Sequence, residues 1–361
     1  MHKKFQGKRL TELSFNKSFT QQEPIPESGI KLATEVMRSG RLHRYNLESG
    51  EEGHASLLEA EFAKWQGVDY CLACASGGYA IQLALRVCGI KTGDKILANA
   101  YTLAPVPGAI HNVGAEPVFV DINSNYHIDL NDLNKKYNES NAQYLLLSHM
   151  RGHIANMDRV VEFCNKNGVV LIEDCAHTMG ASWDGVNSGN FGKMAAFSTQ
   201  TYKHLNSGEG GLLVTNEPEL AAKAVISSGS YMMYETHGAI PTEASFNKTR
   251  LLSPNYSGRM DQLRASLLRA QLPELKKNIS RWNILYKDLF KKLEAIDGIF
   301  IPKRNKKEFF VGSSIQFRLE TIDVELFPTF INGCSRRGVE LKWFGQKEPK
   351  GFTSRYDSWA Y

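Results

Sequence analysis

Short apolar runs alternate with amphipathic segments along the first half of the chain. Apolar positions repeat at helical spacing in residues 27–38 and 57–65, and a glycine that can end a helix follows each segment. The sequence predicts strands at 70–75, 95–98, 117–120, 144–148 and 169–172, with helices at 79–88, 105–112 and 157–166. Short apolar strands that alternate with helices predict a mostly parallel sheet with helices on both faces.

The pattern changes in the second half. Residues 194–198 and 212–215 read as strands, 220–227 as a helix, and 230–252 as a long polar loop. A helical region follows from 259 to 293 and is expected to break near Pro273. A strand at 313–319, a helix at 324–337 and a strand at 339–343 predict a smaller C-terminal α/β domain. We therefore expect an arm at 1–26, a large α/β domain at 27–255, and a small domain at 256–361 whose end looks truncated.

Composition narrows the functional classes. The 43 basic and 38 acidic residues give a net charge of only +5, spread along the chain, so we expect no nucleic-acid partner. No apolar run is long enough for a membrane span, and the basic N-terminus lacks the apolar core of a secretory signal. Cys71 and Cys74 form a CxxC within a strand-like run, where they read as small core residues rather than metal ligands. We expect a cytoplasmic protein without a metal.

The candidate chemistry starts from Lys203. This lysine lies between two predicted strands, and a glycine turn at 208–211 leads into the second of them. Burying an ammonium group is costly unless the group is paired or used chemically. A desolvated lysine can lose its charge and attack a carbonyl to form a Schiff base. A surface lysine before a hairpin is the simpler alternative, and this stretch alone does not decide between them.

Three further groups are expected at strand ends. Gly77 and Gly78 open a helix after a strand, where backbone N–H groups can approach a phosphate. Asp174 ends a buried strand, and Ser198 ends the strand before Lys203. In parallel sheets, ligands bind beyond the carboxyl ends of the strands. A phosphate cradle, an acid, a serine and a lysine together match what pyridoxal 5′-phosphate needs.

The motifs Ser-Gly-Gly-Tyr-Ala-Ile at 76–81, Glu-Asp-Cys-Ala-His at 173–177 and Lys203 with Gly-Glu-Gly-Gly at 208–211 resemble those of the DegT/StrS-type sugar aminotransferases. The resemblance implies a fold-type I transferase with a mostly parallel seven-stranded sheet, bound pyridoxal phosphate and a homodimer. It implies that Lys203 forms the Schiff base and moves protons. Asp174 would pair with the pyridine nitrogen, and His177 would lie beside the cofactor. Ser198, Gly77 and Gly78 would hold the phosphate.

Three positions depart from the family pattern. Gly78 stands where the family usually has Thr, and Leu103, near Tyr101, stands where an aromatic residue usually stacks on the cofactor ring. Ser257 stands where the family has Asn, so Asn255 is expected to replace it as a phosphate ligand across the dimer. With these departures cofactor binding is still expected, whereas the usual substrate preference of the family does not carry over to this chain.

The resemblance implies transfer of an amino group from an amino acid, glutamate or glutamine, to a keto or aldehyde sugar. Two alternatives stay open at this point: a sugar dehydratase, in which the family replaces the lysine by histidine, and a catalytically silent regulatory protein that binds the cofactor. The residues expected to line the acceptor site are basic and suit a nucleotide diphosphate or a sugar-acid carboxylate. They are Arg41, His43, Arg44, His237 and Arg250. The runs at 44–46 and 237–238 also resemble family members that aminate an eight-carbon sugar acid.

Overall fold

The computed structural model describes residues 14–18, 21–345 and 359. Helices of the first half are α1 (Glu27–Ser39), α2 (His54–Gln66), α3 (Gly77–Val87), α4 (Pro105–Asn112), α5 (Leu130–Ser140) and α6 (Met157–Asn167). Strands of the first half are β1 (Tyr70–Cys74), β2 (Lys95–Asn99), β3 (Glu116–Val120), β4 (Tyr144–Ser148) and β5 (Val170–Asp174). The middle of the chain contains the strands β6 (Ser182–Trp183), β7 (Val186–Asn187), β8 (Met194–Ser198) and β9 (Gly211–Thr215). The helices α7 (Pro218–Ser227), α8 (Glu243–Thr249), α9 (Gln262–Gln271) and α10 (Leu275–Glu294) follow them. Beyond them lie β10 (Ile299–Phe300), β11 (Glu308–Phe309), β12 (Arg318–Leu319) and α11 (Phe327–Ser335).

A seven-stranded sheet in the order β1-β9-β8-β5-β4-β2-β3 forms the centre of the fold. The strand β9 is antiparallel to both of its neighbours, whereas the pairs that join β8, β5, β4, β2 and β3 are parallel. The mostly parallel α/β sheet predicted from the alternation of strands and helices is therefore confirmed.

Helices cover both faces of this sheet, and β4 shows why its sequence is apolar throughout. Leu145 and Leu147 pack into the core on one face, and Leu146 packs into the core on the other. Side chains alternate between the faces of a strand, so a strand covered on both sides needs apolar residues at every position. The first core contains α2, α6 and α9, and the second contains α3, α4 and α7.

The register brings the polar strand ends to one edge of the sheet. Ser148 lies opposite Asp174, and Ser198 lies opposite Gly211. Gly211 also lies opposite Cys74, the last residue of β1. The ends of β1, β4, β5 and β8 therefore open onto the same side, as expected from the sequence.

Two helices were missed in the sequence prediction. Helix α5 is mostly polar, with Leu133 as its one buried residue, and it begins where the Asp129 side chain accepts hydrogen bonds from the amides of Asn131 and Asp132. Helix α8 lies inside residues 230–252, which the sequence predicted as loop. It forms because Phe246 is fully buried and stacks on Tyr234, with ring centres 4.1 Å apart.

The C-terminal prediction was wrong in detail. Only Arg318 and Leu319 of the predicted strand 313–319 pair, with β10, and residues 339–343 form no strand. The predicted helix 324–337 is shorter, because α11 begins at Phe327. Helix α10 follows α9 after a short turn at Pro273, so the predicted break is confirmed. The predicted domain boundaries stay predictions, as does the arm, most of which lies outside the described residues.

A buried ion pair ties α2 to β1. The guanidinium of Arg44 donates two hydrogen bonds, of 2.9 and 3.0 Å, to the carboxylate of Glu59. Glu59 also accepts from the amide of Ala73, and His237 lies 3.2 Å from it. Burial by itself raises the pKa of Glu59, but Arg44 and His237 outweigh it and lower the pKa to about 2. Glu59 is therefore an internal anion that holds several elements together.

The first prediction compares this pair with an exposed one. Arg44→Met leaves the buried Glu59 carboxylate without its main partner, so we expect the free energy of unfolding to fall by about 3 kcal/mol or more. Arg41→Met removes a surface pair with Glu48 and should cost less than about 1 kcal/mol. Urea unfolding followed by circular dichroism measures both, and equal losses in the two variants would contradict the prediction.

Candidate active site

Lys203 lies in the turn between β8 and β9, where it is half-buried. Its Nζ is 2.9 Å from Nε2 of His177. Burial lowers the pKa of Lys203 to about 8, an effect that Asp174 opposes and the positive charge of Arg151 reinforces. The pKa of His177 falls well below its usual value, because of burial first and the charge of Lys203 second. A neutral histidine can accept the lysine's hydrogen bond, so the structure brings together a reactive amine and a proton acceptor.

Asp174 ends β5, and its carboxylate is 6% exposed. Ser148 donates a hydrogen bond of 3.0 Å to Oδ2, and the amide of Ala176 donates one of 3.1 Å to Oδ1. Burial raises the pKa of Asp174, while the Ala176 amide and the charge of Lys203 stabilise its ionised form. The side chain is thus fixed at the strand end, with its charge directed toward a cation.

Ser148 is itself held in place from the neighbouring strand. Its amide donates a 2.8 Å hydrogen bond to the side chain of Asn99, and its hydroxyl lies 2.7 Å from that of Thr102. Because the Ser148 hydroxyl donates to Asp174, the Thr102 hydroxyl is the donor in this second contact. Asn99 at the end of β2, Thr102 in the turn after it and Ser148 at the end of β4 therefore set the position of one carboxylate.

A cradle for an anion lies at the start of α3. The side chain of Ser76 caps this helix by accepting from the amide of Tyr79. The first amides of a helix have no partner within it, which leaves those of Gly77 and Gly78 to bind an anion at the positive end of the helix dipole. A Cβ on Gly77 would lie 2.7 Å from the Cβ of Ser198, so only glycine allows β8 to approach this helix so closely. The approach places the Ser198 hydroxyl beside the cradle.

Three other residues were predicted to bind the cofactor: Gly78, Leu103 and Asn255. A Cβ on Gly78 would make only ordinary contacts, at 3.7 Å from Pro105, so packing does not require glycine there. Leu103 is half-buried in the turn before α4. Asn255 is exposed, and its side chain accepts a 2.9 Å hydrogen bond from the amide of Ser257. Its predicted role across a dimer stays a prediction.

Two residues expected to line the acceptor site are not available for it. Arg44 and His237 are 3% and 5% exposed and belong to the buried network around Glu59. This interpretation was wrong because the sequence cannot show that a carboxylate on α2 meets them. Arg41 pairs with Glu48 and Glu51 at the surface, whereas His43 and Arg250 are exposed.

The sequence reasoning missed Ser148 and Arg151. The sequence pattern could have indicated Ser148, because it is the polar residue at the end of an otherwise apolar strand. Arg151 follows three residues later in the turn after β4, and its charge lowers the pKa of Lys203 after the larger effect of burial. Nothing in the sequence indicated that the charge of this arginine would act on Lys203.

His149, Glu173 and Cys175 lie close enough together to suggest a metal site. Glu173, however, already accepts hydrogen bonds from the amides of Gly189, Phe191 and Gly192, and its carboxylate lies 3.1 Å from Nε2 of His149. These contacts occupy both oxygens, so the group serves to fasten the turn before β8. Among the described residues, no helix is long and apolar enough to cross a membrane.

Comparison with known proteins is consistent with this geometry. Residues 25–329 match the DegT/DnrJ/EryC1/StrS aminotransferase family. The chain is 29% identical to the pleiotropic regulatory protein of Geobacillus stearothermophilus over 264 residues. These aligned residues are 73% of this chain and 64% of that protein. It is 32% identical to UDP-N-acetyl-3-dehydro-alpha-D-glucosamine 3-aminotransferase of Acidithiobacillus ferrooxidans, over 63% of this chain and 58% of that protein. The match thus spans less than two thirds of either relative.

Solved structures share the fold. S. venezuelae DesV, determined with a ketimine intermediate, is 26% identical with a TM-score of 0.73 and covers 92% of this chain and 86% of its own. The aminotransferase TlmJ of Streptoalloteichus hindustanus is 21% identical with a TM-score of 0.77, over 90% of this chain and 84% of its own. The likeness to TlmJ shows the fold alone.

The second prediction concerns the amine of Lys203. In the cofactor-free protein, acetylation of Lys203 should reach half its maximal rate near pH 8, because burial lowers its pKa to about 8. An ordinary lysine has a pKa of about 10.4. Mass spectrometry of labelled peptides gives the rate at each pH, with the exposed Lys166 as an internal reference. Asp174→Asn should lower the midpoint further, since the aspartate charge favours the ammonium form. A midpoint near pH 10 would contradict the prediction.

Proposed function

The chain belongs to the DegT/DnrJ/EryC1/StrS aminotransferase family, and on that premise we propose that it transfers an amino group from an amino acid to a keto or aldehyde sugar. The observation that carries the proposal is the contact between Lys203 and His177, 2.9 Å long, near the buried carboxylate of Asp174. A lysine with a lowered pKa can act as a nucleophile and a base near neutral pH.

Pyridoxal 5′-phosphate is the cofactor of this family, and the residues present fit it. The close approach that demands glycine at position 77 brings the start of α3 and Ser198 together as a cradle for one phosphate group. Asp174 supplies a fixed anion for a protonated ring nitrogen, and Lys203 supplies an amine for an aldehyde. These four residues would hold the cofactor at both ends.

The cofactor, when bound, supplies an electron sink that lets a hydrogen leave the carbon next to the amino group. The chain's own residues do the rest. Asp174 would favour a positive charge on the ring nitrogen, because Ser148 and the amide of Ala176 donate hydrogen bonds that favour its ionised form. Lys203 would carry the proton, and His177, 2.9 Å from its amine, would hold the lysine in position.

The substrate class follows from the relatives. Curated relatives include the 3-aminotransferase already described, a glutamine-dependent scyllo-inosose aminotransferase of Streptomyces fradiae and a dTDP-aminosugar transaminase of Micromonospora megalomicea, the latter two 31% identical to this chain. We infer an amino-acid donor, glutamate or glutamine, and a cyclic keto sugar as acceptor.

A regulatory role is the second candidate, because the relative in Geobacillus stearothermophilus is called a pleiotropic regulatory protein. The sugar dehydratase reading is disfavoured, since Lys203 occupies the position at which that branch has histidine. A regulator and an enzyme differ in one measurable property: only the enzyme converts its bound cofactor between the aldehyde and the amine form in response to substrates.

The third prediction tests turnover. Glutamate or glutamine should convert the protein-bound cofactor from its aldehyde to its amine form, and a keto sugar should reverse the change, as followed by absorbance. Lys203→Ala should abolish both directions while leaving the circular dichroism spectrum unchanged. A bound cofactor that no amino acid converts would favour the regulatory candidate.

Asp174→Asn is the matched variant in this assay, because it keeps the shape of the side chain and removes its charge. The variant should still bind the cofactor but react at least about 100-fold more slowly. If its rate equals that of the wild type, Asp174 serves only the backbone turn. If keto acids reverse the change and no keto sugar does, the proposed aminotransferase activity is supported and the proposed sugar acceptor is contradicted.

We further propose a homodimer with shared sites and expect a cytoplasmic location. Large apolar side chains are exposed near Lys203 in sequence and in the segment after α7, which is typical of a surface that another chain covers. They include Tyr202, Tyr231, Leu251 and Leu252, which are 69%, 59%, 86% and 82% exposed. Asn255 lies in the same segment, which is why we assign it to a neighbour's site.

The fourth prediction tests this arrangement by complementation. Lys203→Ala and Asn255→Ala should each be inactive, but mixed subunits should regain up to about a quarter of the activity, since one site of each mixed dimer has both native residues. Sedimentation velocity should show a dimer. A fully active monomer, or no recovery after verified subunit exchange, would contradict shared sites.

A further inference from the structure

His204 follows Lys203 directly in the chain and lies in the same turn between β8 and β9. Its Nε2 is 3.0 Å from the hydroxyl oxygen of Ser313, in the segment between β11 and β12. Its ring packs against that of Trp282 on α10, with ring centres 5.6 Å apart. The residue next to the reactive lysine is therefore attached to two parts of the chain that lie beyond α9.

Other contacts hold this turn at its two ends. The amide of Thr201 donates a 3.0 Å hydrogen bond to the carbonyl of Gly208, which closes the base of the turn. Tyr202, just before the lysine, is 69% exposed. After the lysine, the amide of Asn206 donates a 2.9 Å hydrogen bond to the side chain of Gln271. Of the two residues that flank the lysine, the histidine is the one that a hydrogen bond between described residues ties to a distant segment.

The partners of His204 are themselves fixed to one another. The amide of Gly312 donates a 2.6 Å hydrogen bond to the side chain of Asn283, which follows Trp282 on α10. A Cβ on Gly312 would lie 2.6 Å from the nearest side-chain atom of α10, so only glycine allows the segment to lie this close to the helix. Ser313 and Trp282 therefore belong to one packed unit, and the histidine contacts both.

The segment that carries Ser313 is also held against the turn after β4. The amide of Val311 donates a 3.0 Å hydrogen bond to the carbonyl of Gly152. A Cβ on Gly152, which has a φ of 88°, would lie 1.9 Å from the carbonyl oxygen of Val311. The position of Ser313 is therefore fixed from two sides, by α10 and by the turn that ends β4.

The imidazole of His204 offers more than an apolar side chain would. Burial and the charge of Lys203 lower its pKa to about 3, so it is uncharged near neutral pH. Its Nδ1 is buried and has no hydrogen-bond partner among the described residues. A buried polar atom without a partner costs free energy, so packing against Trp282 alone would favour an apolar residue. The contact of Nε2 with Ser313 is the interaction that the histidine adds.

We propose that His204 is a positioning residue, which uses Ser313 and Trp282 to hold the lysine turn in one conformation. With the turn held, Nζ of Lys203 stays 2.9 Å from Nε2 of His177 and stays largely out of water. A fixed neighbour removes conformational freedom from the lysine before the reaction starts, and a group that moves a proton must be held within hydrogen-bond reach. The proposal rests on the function proposed above and adds a residue that acts through Lys203.

The experiment measures the pH midpoint for acetylation of Lys203 in the intact, cofactor-free chain. In His204→Ala the midpoint should rise by about 0.5 pH or more from its value near 8, toward the ordinary lysine value of about 10.4, because a loosened turn lets water reach the amine. His204→Gln should keep part of the effect, since its amide can still form a hydrogen bond to Ser313. The control is His111→Ala, which is exposed in the last turn of α4 and should change nothing.

Ser313→Ala is the sharper variant, because it removes a single hydroxyl from an exposed residue and does not endanger the fold. It should raise the midpoint for Lys203 as well. In the double variant the midpoint should equal that of His204→Ala alone, because both substitutions remove the same interaction. Ser280→Ala, exposed on α10, is the matched control. If Ser313→Ala leaves the midpoint unchanged, or if the two effects add, the proposal is wrong.

A purely structural role has a different signature. It would lower the urea concentration at which His204→Ala unfolds but leave the acetylation midpoint of the folded variant near pH 8. That result would overturn the proposal. The acetylation measurement needs neither cofactor nor turnover, so it is decided separately from the aminotransferase assay.

Kinetics of the cofactor-loaded protein supply a second readout. His204→Ala should lower kcat with glutamate or glutamine by about 10-fold and leave KM nearly unchanged, because the affected group moves a proton and does not bind the substrate. A rise in KM at unchanged kcat would contradict the proposal, since the histidine would then contribute to substrate binding. If the wild type shows no turnover, the proposed function fails, and the acetylation midpoints alone decide the role of His204.

Discussion

The site depends on one unfavourable interaction, which is the partial removal of the Lys203 amine from water. Desolvation makes the amine reactive near neutral pH, but it also makes this turn costly to fold. The cost is kept moderate because Asp174 attracts the ammonium form and His177 accepts its hydrogen bond. The remaining features of the sheet edge can be understood as means of holding these three side chains in place.

Buried anions are the second theme of the structure, and each is neutralised in a different way. Glu59 is matched by Arg44, whereas Glu173 is surrounded by three backbone amides. The carboxylate of Asp174 accepts hydrogen bonds from one hydroxyl and one amide, and the charge of Lys203 stabilises its ionised form. The first two have their hydrogen-bonding capacity filled by the protein and serve the fold. Asp174 is less completely paired, and this difference is what distinguishes an acid available to a ligand from a structural acid.

The sequence was enough to predict the central sheet and the position of Gly77, Asp174, Ser198 and Lys203 at its edge. The reason is that the carboxyl ends of parallel strands lie at the same edge of a sheet, whatever the sequences of the strands. Contacts between distant segments could not be predicted. The sequence gives no sign that Arg44 meets Glu59, and so a basic residue was read as part of a binding surface. Helix α5 was missed because one buried leucine leaves almost no periodicity. Arg151 was missed because the turn that carries it packs against Val311, about 160 residues away along the chain.

The contact between Gly152 and Val311 also limits how the molecule can move. The strand β11 pairs with β6, and Glu308 accepts a hydrogen bond from the amide of Ile154. Together with the Val311 amide, these bonds fasten residues 308–311 to the turn that carries Arg151. Residues 308–311 therefore cannot separate from this turn without breaking these hydrogen bonds. The turn after β4 and residues 308–311 therefore act as one unit, and a change in either is transmitted to the other.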